Sequence, residues 1–467
     1  GKMSNEKKII GEEAIYDAKS LGKPKMLVLG FQHMFAMFGA TVLVPILTGL
    51  HVSTTLLFAG LGTLLFRLLT RGKVPAFLGS SFAFIGSMVA AFAGAVSASA
   101  GFAGIILGAV FAGLVYVVIA IVIKCVGVQW INKLMPTVVI GPTVALIGLS
   151  LASAAVNDVF SYGPKDGNGA FIMSGNIWVS LICALVTLVV VTLCATYGSK
   201  MTKLIPFIIG VLAGYAVAMI FTVIGIFAGI DALKVIDLTP FTNLVAEGVT
   251  VKTFISVPDF TFVEAIKGIK DFDLTYLVTI AVAYIPVAFV VFAEHIADHK
   301  NLSSIIDEDL LENPGLHRTL LGDGVGSFAG AIFGGCPNTT YGESVGCVAI
   351  TRNASVATIT TTAIFAILIS FISPFIAFLD SIPGCVMGGV CITLYGFIAV
   401  SGLKMIQKVD LEDNANLFTV SVILICGIGG MAISIGKVTL TAIACALILG
   451  IVVNILLNKF KKTGADK

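Results

Sequence analysis

Apolar runs long enough to cross the ~30 Å hydrocarbon core of a bilayer follow one another along almost the whole chain. They lie near residues 26–48, 54–69, 102–126, 135–156, 177–197 and 205–227. After a long stretch of mixed charge they resume near 274–294, 320–333, 354–379, 383–402, 416–433 and 440–457. Two shorter pieces, 77–92 and 338–351, are interrupted. The pattern is twelve ordinary spans and two broken ones, in two sets of seven. Of 467 residues 57% are hydrophobic and 12% charged, and mean hydropathy is +1.04. Soluble domains carry about twice that charged share, so the chain reads as an all-α polytopic membrane protein.

Both interruptions follow one design. The first half carries GLGTLLFRLLTRGKVPAFLGSSFAF from Gly60 to Phe84, and the second carries GDGVGSFAGAIFGGCPNTTYGES from Gly322 to Ser344. Gly60, Gly62 and Pro75 recur at the same spacing as Gly322, Gly324 and Pro337. Each segment begins as an apolar helix and ends in Pro, Gly, Ser and Thr, where a helix cannot run cleanly. Non-helical backbone survives in lipid only where protein or a wet cavity satisfies it. A matched pair of interrupted segments in two halves therefore points to a transporter's substrate site. MPTVVIG (Met135–Gly141) and IPGCVMG (Ile382–Gly388) add a second echo, each opening a span with Pro and placing Gly five residues later.

Charge placement orients the chain. With the N-terminus inside, the inner loops collect Arg67, Arg71, Lys73, Lys124, Lys133, Lys200 and Lys203. The second half adds Lys300, Arg318, Arg352, Lys404 and Lys408, while the outer loops 49–53 and 93–101 hold no Lys or Arg. This is the positive-inside pattern, with both termini cytoplasmic. An odd number of spans per half turns the second half upside down, which makes an inverted repeat. The polar opening GKMSNEKKIIGEEAIYDAKS lacks a signal-peptide pattern. Net charge is +2 with no basic stripe, so nucleic acid is not an expected partner. The nine cysteines are scattered without Cys/His clustering, so neither disulfides, metal nor cofactor is expected. No nucleophile–base pair or phosphate loop marks an enzyme.

Ionisable groups at membrane depth are costly and mark function. Glu294 ends the apolar run AVAYIPVAFVVFAEH, where it reads either as an interfacial carboxylate or as a functional one. Glu343 sits in the second broken segment, as a capping carboxylate or a ligand contact. His33 in GFQHMFAMFG suits a helix–helix hydrogen bond more often than a proton carrier, and Asp323 suits packing or capping. A half-helix starting inside the membrane exposes backbone N–H groups. The breaks place Phe82 on one side and Gly342 with Glu343 on the other. Glycine allows close backbone approach, and Phe82, Tyr341 and Tyr395 offer aromatic faces to a flat ligand. Carboxylates want N–H donors and backbone amides want carbonyls, which together complement the edge of uracil. A carboxylate buried without a cation also favours proton uptake.

Five ordered motifs give the chain a family resemblance. They are QHMFAMFGATVLVP (Gln32–Pro45), GKVPAFLGSSFAFI (Gly72–Ile85), FAEHIADH (Phe292–His299), PGLHRTLLGDG (Pro314–Gly324) and PNTTYGESVGCVAITR (Pro337–Arg352). The chain resembles the nucleobase–ascorbate transporter family, most closely its bacterial uracil–proton symporters. That resemblance implies fourteen segments as two inverted seven-segment repeats, with short antiparallel strands in the broken third and tenth. It implies a core domain (26–126 and 274–380), a gate domain (127–227 and 381–458), an extracellular loop 228–273, and cytoplasmic ends 1–25 and 459–467. By the same resemblance Glu294, Glu343, Phe82, Gly342, Tyr341, Tyr395 and Ala40 contact the base between core and gate. Glu294, Glu343, Asp298, His299 and His33 are the proton-coupling candidates. Uracil or a related nucleobase and protons are the implied partners, with a homodimer through the gate, in a bacterial plasma membrane.

Two positions depart from the family pattern. Asp298 stands where uracil symporters often carry histidine. His299 is adjacent, but one residue is about 100° around a helix, so it does not substitute. Ser344 stands where Asn is usual. The rival readings are a xanthine or urate permease of the same family and, less favoured, an anion exchanger of related architecture.

Overall fold

The computed structural model describes residues 22–80, 84–199, 202–260, 262–333, 338–340, 344, 355–435 and 438–464. Helices α1 (Lys23–Thr48) and α2 (Val52–Leu69) lead to strand β1 (Leu78–Ser80). Then come α3 (Ile85–Ala93), α4 (Ala98–Val126), α5 (Gln129–Leu134), α6 (Thr137–Leu149), α7 (Ala152–Val159), α8 (Gly175–Tyr197) and α9 (Pro206–Ala228). The connection to the second half holds α10 (Thr239–Leu244), α11 (Val251–Phe254) and α12 (Phe262–Gly268). The second half is α13 (Leu274–Ile306), α14 (Leu316–Ile332), β2 (Asn338–Thr340), α15 (Val356–Ile369), α16 (Ser373–Ser381), α17 (Gly384–Gln407), α18 (Asn414–Ile428), strands β3 (Ile433–Ile435) and β4 (Val438–Leu440), and α19 (Ala442–Gly464). Among the described residues, eight helices are long and apolar enough to cross a membrane, counting α6 and α7 as one.

Local chemistry sets the helix ends. α1 and α9 each open on a proline in the first turn and close on a left-handed glycine, Gly49 at φ 78° and Gly229 at φ 70°. Proline loses nothing where the N–H would be unpaired anyway, and glycine tolerates the terminal turn. Four spans differ from the sequence expectation. The run 135–156 is split between α6 and α7, and 354–379 between α15 and α16. At both splits a serine turns back on the helix: Ser150 Oγ donates to Ile147 O and Ser370 Oγ to Ile367 O. Such local bonds compete with the helical ladder, and hydropathy does not register them. The run 416–433 ends early because Gly429 and Gly430, the latter at φ 74°, turn the chain into the β3–β4 hairpin. The run 274–294 instead continues as one helix through Ile306. Glu294 is therefore inside α13, not at its end.

The helices sort into two packing groups. One contains α1–α4 with α13–α15; the other contains α6–α9 with α17–α19. They meet where α1 lies against α9 and where α13 lies against α6 and α19. Within the first group α4 and α14 cross almost backbone to backbone: a Cβ on Gly113 would sit 3.1 Å from Gly324 O. Small residues permit that approach and the dispersion contacts that hold helices together where no hydrophobic effect acts.

Candidate substrate site

The two interrupted segments meet as strands. β1 and β2 pair antiparallel, with Leu78 opposite Thr340, Gly79 opposite Thr339 and Ser80 opposite Asn338. Three-residue strands are too short to hold themselves, so side chains from the flanking helices anchor them. Thr63 Oγ1 on α2 accepts from the Leu78 N–H at 3.0 Å and donates to Ala59 O at 2.8 Å. Asn338 Nδ2 donates to Phe58 O at 3.0 Å, and Ser327 Oγ donates to Asn338 O. Gly62 makes room for this: a Cβ there would stand 2.6 Å from Asn338 Nδ2.

A second tie runs through Ser344. Its Oγ accepts from the Phe77 N–H at 3.1 Å and lies 3.1 Å from His33 Nε2. The first helix, the approach to β1 and the residue after Glu343 are thus locked together. His33 is buried, and its observed role is this inter-segment hydrogen bond.

α13 presents two ionisable pairs at helical spacing. His295 and His299 share one face and stack, ring centroids 4.0 Å apart. His295 bonds Asp323 through Nδ1, and its Nε2 lies 2.8 Å from Thr319 Oγ1. The His295 and Asp323 side chains are 0% and 2% exposed. Thr339 Oγ1 on β2 is 3.5 Å from Asp323 Oδ2, which connects the pair to the strands. His299 Nδ1 donates to His295 O at 2.9 Å. Glu294 and Asp298, also four apart, are only partly buried. The Asp298 side of the helix is therefore not the His299 side.

The other expected contacts fall in different places. Ala40 lies on α1, two turns beyond His33. Tyr395 is buried on α17 in the other packing group, where its carbonyl would be 2.4 Å from a Cβ on Gly148 of α6. Phe82, Tyr341, Gly342 and Glu343 lie outside the described residues. His295 has no place in the sequence expectation, and Asp323 stands there only as a packing or capping residue. The signal was present: FAEHIADH puts two histidines one turn apart, and a carboxylate buried in GDG needs a partner. A cavity of about 660 Å³ lies elsewhere, between α1, α9 and α16, and its lining side chains are apolar. A nucleobase needs placed polar groups, so that cavity is not its site.

Helices in two packed groups, with strands joining two interrupted segments, define a membrane transporter. The same fold occurs in the transmembrane domain of the cyanobacterial bicarbonate transporter BicA, at TM-score 0.61 and 14% identity, covering 95% of this chain and 99% of that one. It occurs also in SLC26A9, at TM-score 0.63 and 13% identity, covering 96% and 66%. The model described as "Permease family" matches residues 24–436, and the chain belongs to that family. It is 38% identical over 439 residues to the uracil permease of Bacillus subtilis (strain 168), covering 93% of each. It is 39% identical over 446 residues to that of Bacillus caldolyticus (95% and 94%) and 36% over 425 to that of Escherichia coli (strain K12) (91% and 89%). The resemblance read from the five motifs holds, and the chain is a permease rather than an enzyme.

Proposed function

We propose that this permease carries uracil, together with protons, into a bacterial cell by alternating access. One observation carries the reading: the interrupted segments of both halves converge at β1–β2, in a chain sharing more than a third of its residues with uracil permeases. In this reading the base lies between the two packing groups, which act as core (26–126, 274–380) and gate (127–227, 381–458). Glu294 and Glu343 accept the N–H donors of the base. The backbone N–H groups of Phe82 and Gly342 meet its carbonyls, and Tyr341, Tyr395 and Ala40 shape the pocket. Glu294, Glu343 and Asp298 are the groups for proton uptake, with His33 and His299 as candidates whose observed bonds are structural.

Fourteen segments, an inverted repeat, a gate-mediated homodimer and cytoplasmic termini belong to the same proposal. A cationic cluster supports the orientation. Arg71, Lys124 and Arg318 gather around His317, and burial with these charges holds its imidazole below the ordinary value. Arg318 Nη1 also caps the end of α2 through Leu69 O at 3.1 Å. Cations from three segments at one end fit the inner surface. The test is uptake of labelled uracil by proteoliposomes with and without an inward acid gradient, with xanthine and bicarbonate as competitors. Gradient-driven uptake blocked by unlabelled uracil alone is expected. Competition by xanthine sinks the uracil assignment, and uptake indifferent to the gradient sinks the coupling.

A further inference from the structure

The apolar cavity of about 660 Å³ has a shape and a setting that specify an occupant. Its walls are α1 from one packing group, α9 and the start of α17 from the other, and α16 beside them. Along α1 the lining runs from Leu27 through Phe31 to Val42, about 22 Å of helix at ~1.5 Å per residue. That is longer than one leaflet of a ~30 Å hydrocarbon core. Leu27 (46%), Phe31 (42%) and Leu212 (51%) remain exposed along it, so the recess opens sideways. Leu185 on α8 is exposed and lies away from this lining.

One end of the groove is cationic. Lys23 precedes Leu27 by one helical turn and is exposed. Lys203 lies in the turn Thr202–Leu204, which packs against α1, two residues before the lining residue Ile205. An apolar groove longer than a leaflet, with two lysines toward one end, matches an acyl chain capped by a phosphate. Lysines at the membrane surface favour anionic headgroups by about fivefold each. We propose that an anionic glycerophospholipid binds here, one acyl chain in the groove and its phosphate between Lys23 and Lys203.

Native mass spectrometry of the purified full chain tests this, with phosphatidylglycerol and phosphatidylcholine of identical acyl chains supplied in equal amounts. Wild type is expected to retain one phosphatidylglycerol in preference to phosphatidylcholine. Lys23→Gln with Lys203→Gln should weaken phosphatidylglycerol retention by about twenty-five-fold, at about fivefold per lysine, and leave phosphatidylcholine unchanged. Ile208→Trp, which fills the groove, should reduce both, whereas Leu185→Trp should reduce neither. The lysine variant changes only the rim, so the test survives if Ile208→Trp fails to fold. Equal retention of the two lipids by wild type overturns the proposal, as does unchanged retention in the lysine variant. So does a lipid-free wild-type dimer that Ile208→Trp splits, because a second copy of the chain then covers the groove.

Discussion

Asp323 is surrounded on every side by protein, so its oxygens must find donors among neighbouring side chains. His295 supplies one and Thr339 another. Removing one member of a buried pair leaves the other desolvated and uncompensated, which costs about 3–5 kcal/mol. His295→Ala should therefore lower the unfolding midpoint in detergent far more than Ala substitutions at exposed positions of α13. Asp323→Asn combined with His295→Gln should recover part of the loss, and an additive double variant would show that the two residues do not act as a pair. Glu294 differs, being partly buried and on another side of the helix. A charge-assisted bond to a ligand N–H is worth about 2 kcal/mol, so Glu294→Gln should weaken uracil binding about thirtyfold with little change in stability. Calorimetry showing wild-type affinity in that variant would remove Glu294 from the site.

The strands hold their place because the helices around them are drilled for it. Thr63 on α2 binds Leu78, Asn338 reaches back to Phe58, and Ser344 joins His33 to Phe77. Gly62 is the empty position that lets α2 and β2 approach. A methyl group at Gly62 must push the Asn338 amide off Phe58 O, an overpacking cost of about 1–3 kcal/mol. Gly62→Ala should thus reduce both thermal stability and uracil uptake. Shortening the opposing side chain, as in Gly62→Ala with Asn338→Ser, should restore part of the uptake. If Gly62→Ala transports at the wild-type rate, the strand pair does not need this contact.

Two packing groups that touch through few helices can move against each other, and the proposed site lies between them. Transport driven by a proton gradient then separates from exchange, which needs no net proton flow. Adding a protonophore to proteoliposomes should abolish uracil accumulation above the external concentration while leaving exchange of internal for external uracil intact. Accumulation that survives the protonophore would place the proton outside the transport cycle.

The amino-acid order by itself determined that this chain lives in a membrane, that an interrupted segment of one design occurs twice along it, and which family it belongs to. Those properties are written in hydropathy, in the recurrence of Gly and Pro at fixed spacing, and in five contiguous motifs. Glu294 stood out because a carboxylate at the end of an apolar run is visible in the linear order. Only the tertiary structure decided that His295 answers Asp323, that Ser344 bridges His33 and Phe77, and that serines split two of the long runs. Each of those depends on which distant backbone or side chain lies within hydrogen-bond reach. A buried polar group must be satisfied, but its sequence does not say by whom; the packing of helices from opposite halves does.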